Sequence, residues 1–378
     1  MPATVAGDPR WLLGPFGTGL RLDGLDFFVF LVASFVGYLC VVAGARLVPR
    51  GVLWGAICAA IALFALAPPL LSQDVFSYIS YARLAVDHDL NPYVAVPAAV
   101  PSDPAFPFVG WQHATSVYGP LFTLASYPLG LVSVPEALWL VKLLAGASVL
   151  GLTVVVARIA PRLGSDPARA AALVALNPLV LVDVVGGAHN DAVMTLLAVG
   201  GVALLLLRGE VASGAAVVAG AGLKAAAAVV VPFALLGSKR PRLAAGALAA
   251  VGTTVLLAVA VFGLRSLDPL GLAGEATSKH SVPRTIAGLV DLGSVPVRDT
   301  ALALYVLGLL ALVVWTLRGG DWIRATGWAA IGLLLTTGWL MPWYVIWVLP
   351  FAALAEDGLL TTATLGLCAF QLVNRVPL

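Results

Sequence analysis

Charge is scarce in this chain. Of 378 residues only 11% are Asp, Glu, Lys or Arg, against about 25% in a soluble protein. With Lys+Arg at 21 and Asp+Glu at 19, no basic field exists for nucleic acid, which is excluded as a partner. Cysteine is scarcer still. Cys40, Cys58 and Cys368 sit far apart in apolar runs without metal-ligand spacing, and read as small buried hydrophobes. Residues 1–24 hold Asp8, Asp23, glycine and proline instead of a continuous apolar stretch, so no signal peptide is expected. The motifs of soluble enzymes are missing too: no P-loop, no GxGxxG after a strand, no nucleophile elbow. Gly214, Gly220 and Gly222 lie in an Ala-rich run and read as packing positions. These absences exclude a cytosolic enzyme, a disordered chain, a coiled coil and a secreted disulfide scaffold.

What is present is apolar. Hydrophobic residues make up 61% of the chain and mean hydropathy is +1.01, so its solvent is mostly lipid. A helix crosses the roughly 30 Å of hydrocarbon with about 20 residues. Apolar runs occur at 26–45, 52–71, 136–157, 170–185, 192–207, 211–236, 243–263, 301–317, 325–340, 342–355 and 358–373. Several are short, which calls for tilt or local thinning. They are rich in Ala and Leu with no period-2 alternation, which argues against a β-barrel. The expected fold is all-α: a polytopic bundle of about 11–13 helices in one integral membrane domain over 1–378.

Basic residues orient the passes. Arg46 and Arg50, Arg158, Arg162 and Arg169, Arg208, Lys239, Arg240 and Arg242, and Arg318 and Arg324 mark five tight turns, placed in the cytoplasm. The N-terminus, the long connections 72–134 and 264–299, and the turn 186–191 then fall outside. Two features make that parity work. Residues 119–134 form a short helix starting at Gly119-Pro120 that dips into the outer leaflet without crossing. The run 211–236 breaks at Lys224 into two short helices meeting on the outer side. Arg265, Lys279, Arg284 and Arg298 in 264–299 run against the rule, mixed with Asp268, Glu275, Asp291 and Asp299; basic residues there suit a phosphate-bearing ligand.

Ionisable residues at membrane depth are costly and so are candidate functional groups. Asp74 opens Asp74-Val75-Phe76-Ser77-Tyr78-Ile79-Ser80-Tyr81 where the second helix leaves the membrane, with Tyr78 and Tyr81 on its helical face. The plain reading is an N-cap with interfacial tyrosines. The proline-rich stretch 87–118 is too long a loop for a protein of tight turns unless it has a function. His189-Asn190-Asp191 follows Gly186-Gly187; the alternative is a solvated turn, and two ligands are too few for zinc. Lys224 is a lone cation in an Ala-rich run, able to snorkel or to meet an anionic headgroup. Trp343 and Tyr344 are sugar-stacking candidates or belt anchors.

Taken together these residues resemble the membrane-embedded GT-C glycosyltransferases, and most closely the actinobacterial polyprenol-phosphate-mannose-dependent α-1,6-mannosyltransferases. The resemblance rests on Gln73-Asp74-Val75-Phe76-Ser77-Tyr78 with Arg83 and Asn91-Pro92-Tyr93, on Tyr118-Gly119-Pro120-Leu121, and on Asn177-Pro178-Leu179 with Gly186-Gly187-Ala188-His189-Asn190-Asp191. Gly222-Leu223-Lys224 with Pro232, and Pro342-Trp343-Tyr344, complete it. The chain is short for that family and ends at Asn374-Arg375-Val376-Pro377-Leu378 without a further span.

The resemblance implies a plasma-membrane, multi-pass bundle with an extracytoplasmic active site in the first long loop, a polyprenol-phosphate sugar donor, and catalysis by Asp74. On that reading Asp74 is the general base in an inverting transfer to a cell-envelope glycan or glycolipid acceptor. Lys224 and Arg83 bind the donor phosphate, with Lys279 or Arg284 behind them. Tyr78, Tyr118, His189, Asn190, Asp191, Trp343 and Tyr344 bind sugar or acceptor. No cofactor is obligatory; a divalent cation held by Asp74 and Asp191 is an alternative. The competing readings are a transporter or flippase of polyprenyl-linked sugars, which the lack of an evident inverted repeat counts against, and a non-catalytic subunit.

Overall fold

A computed structural model of the chain describes residues 10–15, 24–268 and 278–374. The expected outward N-terminus, Glu275 with residues 269–277 of the second long connection, and Arg375–Leu378 lie outside the described residues. Among the described residues every regular element is a helix.

Four helices are long and apolar enough to cross a membrane: α1 (Gly24–Gly44), α5 (Val134–Ile159), α10 (Pro241–Phe262) and α12 (Ser294–Leu317). Their surroundings differ. Half of the apolar window of α5 is buried, against only 6% for α12, so α5 is the central post and α12 lies at the rim with its leucines turned to lipid. Shorter apolar helices fill in around them: α2 (Arg50–Leu66), α7 (Asp191–Leu206), α8 (Glu210–Leu223), α9 (Val230–Ser238), α13 (Trp322–Thr336), α14 (Leu349–Leu354) and α15 (Gly358–Asn374).

Local chemistry sets the boundaries. Ser133 and Glu136 form a reciprocal capping box at the start of α5, with Pro135 in the first turn. Asp166 caps α6 (Pro167–Ala175), and Asp321 caps α13 through the amides of Ile323 and Arg324. The run 170–185 is not one straight helix. Pro178 cannot continue α6, the Asn177 carboxamide oxygen accepts from the Leu179 amide, and the chain restarts as a π-helical segment, Val180–Gly186, bent by 61° from α6. The run 342–355 is likewise divided, into a 3₁₀ stretch at Pro342–Trp347 and α14. The break at Lys224 is present: the residue takes an extended conformation (φ −155°, ψ 124°) between α8 and a 3₁₀ turn, Ala225–Val229.

The expected short helix after Gly119 is α4 (Pro120–Ala125), and α3 (Asp74–Val86) opens the first long connection. The basic turns meet at one end of the bundle. There Arg46 pairs with Asp166 (3.5 Å), Arg240 with Glu210 (2.7 Å) and Arg324 with Asp357 (3.4 Å), while the Ser165 hydroxyl donates to the Leu354 carbonyl (3.2 Å). The start of α3, the start of α7 and the break at Lys224 gather at the other end.

Candidate active site

At that second end five pieces of chain distant in sequence converge. Asp74 is the first residue of α3, where the helix dipole favours a carboxylate. Trp111, arriving from the far end of the loop, donates its indole N–H to Asp74 Oδ1 (3.1 Å). The other oxygen, Oδ2, lies 3.8 Å from His189 Nδ1, too far for a hydrogen bond. With a fifth of its side chain exposed, the carboxylate has one oxygen held and one open. Burial pushes its pKa up from the ordinary carboxylate value; the Trp111 hydrogen bond and the Lys224 charge oppose this, and Asp191 reinforces it.

The turn between the π-helical segment and α7 supplies the floor. Gly187 is required there, because a Cβ would stand 2.3 Å from the Asp183 carbonyl oxygen. Ala188 follows in the left-handed region (φ 58°), a conformation that costs a non-glycine residue roughly 1–2 kcal/mol. The reversal buries His189, Asn190 and Asp191 almost completely. The His189 ring stacks on Trp343 (3.6 Å, 15°). Burial keeps that imidazole neutral, with the Lys224 charge adding to the effect. Neither ring nitrogen of His189 nor either amide atom of Asn190 has a hydrogen-bond partner. Buried polar atoms without partners are exceptional in folded proteins, and these two side chains suit the hydroxyls of a polar ligand.

Asp191 is different. Lys224 Nζ donates to both its oxygens (2.8 and 3.0 Å), and Trp347 Nε1 donates to Oδ1 (2.7 Å). The same ammonium lies over the Tyr344 ring at 4.5 Å and the Trp347 ring at 5.3 Å, and those rings stack on each other at 4.1 Å. Lys224 is therefore neutralised and caged. It does not present the free cation expected for a donor phosphate.

Arg83 is also elsewhere. It lies nine residues past Asp74, half a helical revolution away, and is locked between Asp87 (2.7 Å) and Asp103 (3.0 Å), with His88 on the same Asp103 oxygen (2.8 Å). This ionic knot ties the proline-rich loop to α3, so the cation expected at a donor phosphate is paired with Asp87 and Asp103. Tyr78 is buried edge-on against Tyr118 (4.8 Å) and Phe122 (4.9 Å), forming the wall beside Asp74. Of the expected residues, the structure thus brings together Asp74, Tyr78, Tyr118, His189, Asn190, Asp191, Lys224, Trp343 and Tyr344. Among the described residues no three His, Cys, Asp or Glu side chains converge as a metal set. Asp191 is already occupied by Lys224 and Trp347, which does not fit a cation bridged to Asp74.

Three residues escaped the sequence reading. Trp111 and Trp347 look like any interfacial tryptophan until their indoles are seen to orient Asp74 and Asp191. Lys142, in the middle of α5, is wholly buried and donates to the carbonyls of Phe64 (3.2 Å) and Gly186 (2.7 Å). It ties the last turn of α2 to the end of the π-helical segment, two residues before Ala188. The signal that singled out Lys224, a lone lysine in an apolar run, also marks Lys142.

Fold and site together define an all-helical, multi-pass membrane protein with a carboxylate-centred polar site at one end of its bundle. The family model described as alpha-(1->6)-mannopyranosyltransferase, N-terminal domain, matches residues 25–240. The chain belongs to this family of glycosyltransferases. It is 28% identical over 348 residues to an alpha-(1->6)-mannopyranosyltransferase A of Mycobacterium tuberculosis, covering 82% of this chain and 67% of that protein. It is 33% identical over 175 residues to an alpha-(1->6)-mannopyranosyltransferase A of Corynebacterium glutamicum, covering 44% and 35% respectively. The chain thus spans about two thirds of the first relative, and the match to the second spans about a third of it. No solved structure matches the chain significantly.

Proposed function

We propose that this chain transfers a mannosyl residue from a polyprenol-phosphate donor to a glycan or glycolipid acceptor at the outer face of the plasma membrane, with inversion at the anomeric carbon. The observation that carries the reading is the Asp74 carboxylate. One oxygen is fixed by Trp111, and the other is open 3.8 Å from the unpartnered Nδ1 of His189. The acceptor hydroxyl gives its proton to Asp74 as its oxygen bonds to C1 of the mannose. The bond from C1 to the phosphate oxygen breaks, and its electron pair leaves with the lipid phosphate. A β-linked donor attacked from the opposite face yields an α product. His189 and Asn190 hold sugar hydroxyls, and Trp343 and Tyr344 form the apolar wall. The paired Lys224 and Asp191 add no net charge beside the base and fix its surroundings. The outer-face assignment is supported by the separation of the basic turns from Asp74 at opposite ends of the bundle.

The test is transfer of radiolabelled mannose from polyprenol-phosphate-mannose to a short α-1,6-mannoside in membranes containing the protein. Asp74→Asn is expected to lower kcat/KM by about 10²–10⁴-fold, the worth of a positioned general base, at unchanged protein level. Near wild-type activity in that variant removes Asp74 from the mechanism.

A further inference from the structure

Resting on that reading, one requirement is still unmet: a cation for the lipid phosphate. Lys224 is neutralised by Asp191, and Arg83 by Asp87 and Asp103. The leaving group nevertheless gains charge as its bond to C1 breaks, and such charge is best met by preorganised cations. On the Asp74 side of the bundle a small open cleft is lined by Ser281, Arg284, Ser294, Arg298 and Gly338. Arg284 stands in the first turn of helix α11 (Val282–Leu289), where the helix dipole disfavours positive charge. It has no ion-pair partner among the described residues. Arg298 donates from Nε (3.3 Å) and Nη2 (3.2 Å) to Oδ1 of its neighbour Asp299, whose side chain is 61% exposed and does not line the cleft; such a surface pair contributes little. Two arginines therefore line one space without a buried counter-charge, an arrangement that helix stability does not explain and an anion would.

Two indoles link the cleft to the base. Gly338 is the residue before Trp339, whose ring lies 6.0 Å from that of Trp111, the indole that donates to Asp74. The Gly338 carbonyl also accepts from the Ser278 amide (2.8 Å), anchoring the second long connection at this point. The same arginines run against the charge bias expected of an outer loop, which a phosphate ligand accounts for.

We propose that Arg284 and Arg298 form the site for the phosphate of the lipid-linked donor, with the guanidiniums gripping its non-bridging oxygens as planar forks. The test measures binding of farnesyl phosphate, a non-transferable prenyl phosphate, to the full chain in phosphatidylcholine nanodiscs. The comparison is between wild type, R284Q/R298Q, the charge-keeping R284K/R298K and, as a control arginine of the same connection, Arg265→Gln. The expected result is a Kd raised about 10- to 100-fold in R284Q/R298Q, as for loss of two charge-assisted contacts, partly restored in R284K/R298K, which keeps the charge without the fork, and unchanged in Arg265→Gln. Affinity for farnesyl phosphate unaltered in R284Q/R298Q overturns the proposal, as does loss of affinity to the same extent in Arg265→Gln.

A repeat with phosphatidylglycerol added separates the donor from bulk lipid. Competition that abolishes the difference between wild type and variant assigns the cleft to headgroups in general and overturns the donor assignment. The assay needs no turnover. Binding through the arginines without mannosyl transfer would fail the proposed function alone, and transfer with an unchanged donor KM in R284Q/R298Q would fail this inference alone.

Discussion

At the scale of single residues the site depends on which groups are already satisfied. Asp191 and Lys224 neutralise each other, so removing either leaves a buried charge uncompensated, and loss of activity in such a variant reports structure as much as chemistry. Asp74 is the group left able to take a proton. Its pKa is raised by burial and held down by the Trp111 hydrogen bond, which stabilises the ionised form. The base works only when ionised, so kcat/KM falls as pH drops through that pKa. In Trp111→Phe the stabilising bond is lost and the pKa rises. The acid limb of the pH–rate profile is expected to move to higher pH, with activity recovering at alkaline pH. A limb that stays in place, or moves to lower pH, breaks the link between this indole and the base.

At the scale of elements the site is assembled from helix ends. Lys142 ties the end of α2 to the end of the π-helical segment through two carbonyls, and that segment's register fixes where His189 and Asp191 emerge. Lys142→Met keeps the length of the side chain and removes the donors. Loss of a buried partner costs about 1–3 kcal/mol, so a lower Tm in detergent is expected. A kcat lowered by about 10- to 100-fold is expected as well, since small misplacements near the chemistry are amplified. A wild-type kcat would show that the clamp serves folding only.

A second junction needs no side chain. Gly119 donates its amide to the Leu223 carbonyl (3.0 Å), and a Cβ on it would stand 2.2 Å from the Gly222 carbonyl oxygen. The start of α4 is thereby pressed onto the break at Lys224. Both ends of this contact were visible in the sequence as Tyr118-Gly119-Pro120-Leu121 and Gly222-Leu223-Lys224, but their mutual approach was not. Spacing along a helix reports which face a residue occupies, whereas a backbone-to-backbone contact over a hundred residues leaves no periodic trace. For the same reason Asn91-Pro92-Tyr93 reads as a possible site motif and is in fact a pin: the Asn91 carboxamide donates to the Phe262 carbonyl (2.6 Å), and the Tyr93 hydroxyl donates to that of Tyr118 (2.7 Å). Hydropathy located the helices well because lipid exposure demands long apolar runs. It missed the fracture at Asn177-Pro178, where an amide side chain and a proline end a helix inside an apolar run.

At the scale of the whole molecule the segregation of basic turns from the site predicts sidedness. In a chain with Cys40, Cys58 and Cys368 replaced, a cysteine at exposed Glu356 or at Arg162, beside the paired basic turns, is expected to react with a membrane-impermeant maleimide only after permeabilisation. One at Trp111 or at Lys279 is expected to react in intact cells. Labelling in the reverse sense would put the site on the cytoplasmic face and exclude an outer-leaflet donor.

The Trp347 indole on Asp191 and the Trp343 ring on His189 carry a consequence for how the molecule can be divided. The family match ends at residue 240, yet the residues that cover its polar floor come from more than a hundred positions later. A fragment cut at that boundary would keep Asp74, His189, Asp191 and Lys224 and would expose the floor on which they sit. The boundary recognised between relatives therefore runs through the site, with the base before it and the stacking rings after it.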